Sequence, residues 1–60
     1  MKIYSVTIRV DGRDIETKPF YAKNSAEACV IAELNGRINF PKAEEVDAVN
    51  VEYITNEDGK

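Results

Sequence analysis

The apolar residues of this chain repeat at every second position up to Val10 and at helical spacing from about Ala28. Few folds accommodate that change in so short a span. Tyr4, Val6, Ile8 and Val10 alternate with Ser5, Thr7 and Arg9, so one set faces a core and the other faces away. Asp11-Gly12 is a hairpin signal, and a second extended run ends at Ala22. Asn24-Ser25-Ala26-Glu27 then opens the helical stretch. The pattern is a β-hairpin feeding a helix that covers one face of a sheet.

The first strand is expected from about Lys2 to Val10 and the second from about Asp14 to Ala22. A two-residue loop sets Val10 opposite Arg13, Arg9 opposite Asp14 in a cross-strand ion pair, and Ile8 opposite Ile15. Continued without interruption, that register turns Phe20 and Ala22 away from the face of Val6 and Ile8. A three-residue loop or a bulge restores them to the core. Pro19 cannot donate a ladder hydrogen bond, which supports a bulge and an edge position, so the bulged register is preferred.

Asn24 is the expected N-cap of the helix, with Glu27 three residues on reaching back as in a capping box. Ala28, Ile31, Ala32 and Asn35 share one face, with Leu34 and Ile38 in the neighbouring row. Asn35-Gly36 reads as a left-handed stop, preferred over a helix that runs on to Asn39. Residues 41–47 form a polar connection. The third strand is expected over Val49 to Thr55, with Val49, Val51 and Tyr53 inward and Asn50 and Glu52 outward. Residues from about 56 read as a frayed acidic tail.

The fold class is therefore α+β: a single domain over residues 1–60, with element order β-β-α-β. Its three-stranded antiparallel sheet has order 2-1-3, with the helix packed on one face. The other face is open, and function is expected there.

Size sharpens that expectation. A chain of 60 residues buries only ~60% of its unfolded surface, so its stability is expected at roughly 3–5 kcal/mol. A lone cysteine, Cys29, and no histidine leave neither an internal disulfide nor a zinc site to reinforce the core. A second copy docking as a homodimer is one remedy. With Met1 leading straight into a strand, no signal peptide is expected, and no apolar run approaches a membrane span. A cytoplasmic protein with a free thiol is the simplest reading.

The run Phe20-Tyr21-Ala22-Lys23-Asn24-Ser25-Ala26-Glu27-Ala28, together with Pro41 ahead of the last strand, resembles small proteins of bacteriophages and mobile elements. They share an aromatic-x-Ala strand leading into a capped helix. The resemblance rests on a structural junction and covers most of the chain. It implies a binding role and transfers no functional residue.

The chemistry-bearing residues point the same way. Without histidine, Ser-His and Cys-His nucleophile pairs are impossible, and Cys29 reads as a small core residue. Glu44 and Glu45 are expected on a connection without a pocket. Asp47, Glu57 and Asp58 fit no calcium loop, and Gly12, Gly36 and Gly59 stand too far apart to cradle phosphate. No catalytic residue, metal or cofactor is expected, and the chain is read as a non-enzyme.

Three binding readings remain. In the first, the open face carries Ile3, Ser5, Thr7, Arg9, Lys18 and Tyr21, and a protein partner docks on that face or on an edge strand. Ile3, Tyr21 and Ile54 are its apolar patch, and a phage or mobile-element accessory protein acting on a host factor fits this reading. In the second, the same face meets nucleic acid through Arg9 and Lys18, although Glu16 and Glu52 share it and the net charge is −3. In the third, Glu44, Glu45, Asp47, Glu52, Glu57 and Asp58 mimic phosphates toward a basic protein, against the plainer reading of a solvated loop and tail.

Overall fold

A computed structural model describes residues 1–56; of the tail expected from about 56, Asn56 is instead the last residue of a strand, and 57–60 lie outside the described residues. Strand β1 (Lys2–Val10), strand β2 (Arg13–Ala22), helix α1 (Ser25–Asn39) and strand β3 (Val46–Asn56) follow in that order. The strands form one antiparallel sheet, β2-β1-β3, with the helix on one face.

The hairpin turn needs positive φ at both central residues, and Asp11 (49°) and Gly12 (82°) provide it. Val10 then stands opposite Arg13 and Arg9 opposite Asp14. The ladder shifts before Ile8, which pairs with Glu16, so Ile15 is the extra residue of a bulge. The expected Ile8–Ile15 pairing is thereby replaced. The bulge sits near the turn and not at Pro19, which pairs with Ser5 within the edge strand. Its effect is the expected one: Phe20 stands opposite Tyr4, and both are buried.

Val6, Ile8, Ala22, Ala28 and Ala32 are fully buried, with Tyr4, Phe20 and Val46 nearly so. Asn24 caps the helix, its Oδ1 accepting from the Glu27 N–H at 2.8 Å. Glu27 reaches back as expected, but its carboxylate takes the N–H of Lys23, at 2.8 Å. The capping box is one residue wider than usual.

The helix does not stop at Gly36. It continues to Asn39 and is capped at Phe40, whose N–H donates to the Gly36 carbonyl at 2.8 Å; Pro41 then bars continuation. Gly36 serves packing instead of termination. A Cβ built there would stand 2.6 Å from Val46 Cγ1 and 2.9 Å from Ile8 Cγ2. Ala28, Ala32 and Gly36, spaced by four, form a smooth ridge on which helix and sheet meet closely. Leu34 and Ile38 belong to a different side of the helix from this ridge and are exposed, contrary to expectation.

Strand β3 begins three residues earlier than expected, and two irregularities change which of its residues face the core. Val46 and Ala48 pair with Val10 and Ile8, on the helix side. Between the Thr7–Val49 and Ser5–Glu52 pairs β3 carries one residue more than β1, and Asn50 adopts φ 51° there. Val49 therefore lies on the open face beside Thr7, not in the core. Val51 returns to the helix side and packs on the core. Tyr53 pairs with Tyr4, their rings edge-to-face with centroids 5.7 Å apart, yet it remains largely exposed at the sheet margin.

The far end of the molecule is closed by Asp11. Its Oδ1 accepts from the N–H groups of Glu44 (3.0 Å) and Glu45 (2.9 Å), while its own N–H donates to the Glu45 carbonyl at 2.9 Å. The hairpin turn and the helix-to-strand connection are thus joined by three hydrogen bonds through one residue.

Candidate functional site

Residues paired across an antiparallel ladder share a face, so the register states what the open side of the sheet carries. It is built as four rows across β2, β1 and β3: Tyr21-Ile3-Thr55, Pro19-Ser5-Glu52, Thr17-Thr7-Val49 and Asp14-Arg9-Asp47. Five of the six residues expected on this face are together on it: Ile3, Ser5, Thr7, Arg9 and Tyr21. The sixth, Lys18, is not. It pairs with Val6, on the helix side, and its ammonium lies 3.5 Å from Glu16, which pairs with Ile8 on that same side. Both long side chains lie along the flank of the core, their stems half-buried. The bulge at Ile15 that returned Phe20 to the core also set the facing of these two.

The rows grade from apolar to charged. Ile3 is half-buried and Tyr21 is 49% exposed beside it. Ile54, expected in this patch, is the extra residue where β3 shifts again, and Thr55 takes the place across from Ile3. At the centre, Thr7 is buried, and its hydroxyl shares a hydrogen bond with that of Thr17 at 2.8 Å. Val49, missed by alternation counting because of the irregularity at Asn50, completes this row.

At the charged end, Arg9 Nε donates to Asp14 Oδ1 at 2.7 Å. That hydrogen bond and the negative charge of Asp14, with Asp47 adding to it, hold the guanidinium pKa above its ordinary value. Arg9 is thus bracketed by two carboxylates. With Glu52, the face carries three acidic groups against one cation, a net of −2.

Two shallow clefts flank the connection at residues 40–43, one of them bordered by Asp11. One, of about 390 Å³, is lined by Arg37, Phe40, Glu44, Glu45 and Asp47 among others. The expectation of no cavity beside Glu44 and Glu45 is corrected by it. The other, of about 440 Å³, lies against Val10, Asn39 and Lys42. Neither gathers a nucleophile and a base, and among the described residues no group of three or more His, Cys, Asp or Glu is placed to hold a metal. Cys29 is half-buried at the helix flank and not in the core centre. No described helix is long and apolar enough to cross a membrane.

A second apolar surface was not anticipated. Val30, Leu34 and Ile38 repeat every four residues along α1 and are 57%, 53% and 77% exposed. Each is two residues on from Ala28, Ala32 and Gly36, about 200° round the helix, and so points directly away from the sheet. The signal was present in the spacing. It was misread because an apolar row was assumed to be a buried one.

Comparison with protein families, curated proteins and solved structures finds no match to this chain. The functional reading rests on the geometry.

Proposed function

We propose that this chain is a non-enzymatic protein-binding module whose partner docks on the open face of the sheet. The observation that carries the reading is the row structure of that face. An apolar end (Ile3, Tyr21), a hydroxyl and aliphatic centre (Thr17, Val49) and an acidic end (Asp14, Asp47 around Arg9) lie on one face of the sheet. Tyr21 is the anchor, since a half-exposed tyrosine offers large contact area and a polar tip at low entropic cost. The complementary partner is a protein surface with an apolar centre and lysine or arginine toward the Asp14–Asp47 end. The phage-like strand-to-helix junction agrees with an accessory role of this kind, acting on a host factor.

Edge-strand docking has less support. Strand β2 carries Pro19 and the Ile15 bulge, and β3 carries irregularities near Asn50 and Ile54, all of which hinder the regular pairing of an added strand. The nucleic-acid reading also loses ground, because Lys18 faces the other way and Arg9 is matched by two carboxylates. For the acidic-mimic reading, Asp47 is engaged with Arg9, and Glu57 and Asp58 lie outside the described residues.

The test is affinity capture by the full chain, wild type against Tyr21→Ala, Ile3→Ser and the Glu44→Lys/Glu45→Lys pair. A protein retained by wild type and by the lysine pair, but lost with Tyr21→Ala and Ile3→Ser, supports the open-face reading. Loss only with the lysine pair points to the acidic surface. Retention on DNA or RNA that falls steeply with salt and with Arg9→Ala refutes it in favour of nucleic acid.

A further inference from the structure

We propose that the outer stripe of α1, Val30-Leu34-Ile38, is a self-association surface on which a second copy of this chain docks, the two helices antiparallel about a two-fold axis level with Asn35. The surface differs from the open sheet face, so its failure leaves the reading above standing. Apolar residues at i, i+4 and i+8 form one continuous ridge, and two such ridges interdigitate in the commonest mode of helix packing, with axes about 8–10 Å apart. An exposed ridge of this kind serves nothing in a monomer whose core lies on the opposite side of the helix.

Charge selects the second copy and its direction. The row beside the stripe carries Glu33 and Arg37, already joined at 2.9 Å, and both are solvent-accessible. A two-fold axis perpendicular to the helices places this row against its own copy, running in reverse. Position 35 is midway between Glu33 and Arg37, so Arg37 of one chain then stands level with Glu33 of the other. Two intrachain pairs become a four-charge network in which each charge faces an opposite one and like charges are about 6 Å apart along the helix. On the other flank Asn35 and Asn39, hydrogen-bonded to each other at 3.2 Å, meet their uncharged equivalents. A parallel arrangement instead sets Glu33 and Arg37 against Ile31, Asn35 and Asn39, with no charge partner.

The contact is small. A helix of 15 residues is about 22 Å long and offers an interface at the low end of the specific range, below about 1,200 Å². A dimer with a dissociation constant on the order of 10–100 μM is expected.

Sedimentation equilibrium of the full chain from 10 μM to about 1 mM, with far-UV circular dichroism as a control for folding, tests it. Wild type is expected to dimerise reversibly. Leu34→Glu, a half-exposed position, should keep the spectrum and weaken the dimer by about thirtyfold or more. Glu33→Arg should weaken it, and Glu33→Arg with Arg37→Glu should restore it. In a Cys29→Ser background, Leu34→Cys should oxidise to a covalent dimer, because the axis brings that position within disulfide range of its copy. Ile38→Cys should not, being about 9 Å from its copy along the axis. A wild type that stays monomeric to 1 mM, a dimer indifferent to Leu34→Glu, one dissolved by Tyr21→Ala instead, or cross-linking at 38 without 34 overturns the proposal.

Discussion

Replacing Gly36 by alanine sets two physical terms against each other, and the structure decides between them. In an exposed helix interior, glycine to alanine stabilises by about 1 kcal/mol, because alanine restricts the unfolded chain. Gly36 is buried, however, and the new methyl would arrive 2.6 Å from Val46 Cγ1 and 2.9 Å from Ile8 Cγ2. Both obstructing methyls belong to β-branched side chains with little rotamer freedom, and Ile8 is enclosed on all sides. Neither can swing away, so the helix must lift from the sheet. Overpacking of this sort costs about 1–3 kcal/mol; with two stiff neighbours the upper half applies, leaving a net loss of about 1–2 kcal/mol after the propensity gain. For a domain whose total is roughly 3–5 kcal/mol, that is about a fifth to two thirds, and the melting temperature should fall by roughly 5–15 °C.

Urea unfolding followed by circular dichroism, at one fixed protein concentration because of the expected self-association, measures it directly. Gly36→Ala combined with Val46→Ala adds a stricter check. Removing the Val46 methyls opens the space the new Cβ needs, so the double variant should be about 1–2 kcal/mol more stable than the summed single effects. A Gly36→Ala protein as stable as wild type, or more so, would refute the close-packing account of the helix–sheet junction.

Asp11→Ala removes the acceptor for the Glu44 and Glu45 N–H groups and should cost about 1–3 kcal/mol in the same assay, whereas Asp11→Asn, which retains an oxygen and tolerates positive φ, should lose less than half of that. Asn24→Ala should cost about 1 kcal/mol through loss of the helix cap, visible as reduced amide-exchange protection confined to the first turn of α1. Thr7→Val should change stability by less than about 1 kcal/mol in either direction, since Thr17 is solvent-exposed and regains water when its partner hydroxyl is removed.

The elements and their order were legible because each had a local cause: alternation in β1, Asp11-Gly12 at the turn, Asn24 and Glu27 at the helix start. The bulged hairpin was legible too, because Phe20 had to be buried. Its position was not. Nothing in the sequence ranks Ile15 above Pro19, and placing the extra residue early sent Lys18 and Glu16 to the helix side. Asn50 misled for a related reason: an irregularity inside a strand reverses the parity of everything beyond it, so Val49 was assigned to the core. Gly36 was read from its backbone freedom, when its use here is the absence of a side chain. The outer stripe of α1 was missed because helical periodicity identifies apolar rows without saying which of two rows meets the sheet.

Lys2 stands directly across from Asn56, so the first and last paired residues of the described chain share a single rung. Tension applied between them would load that rung first, then the next, peeling β3 away from β1 like a zipper. Antiparallel rungs run crosswise to the strands and yield one after another under such a pull, without sharing it. A protein resting on this ladder should therefore give way at low force when drawn by its ends, however well its interior is packed.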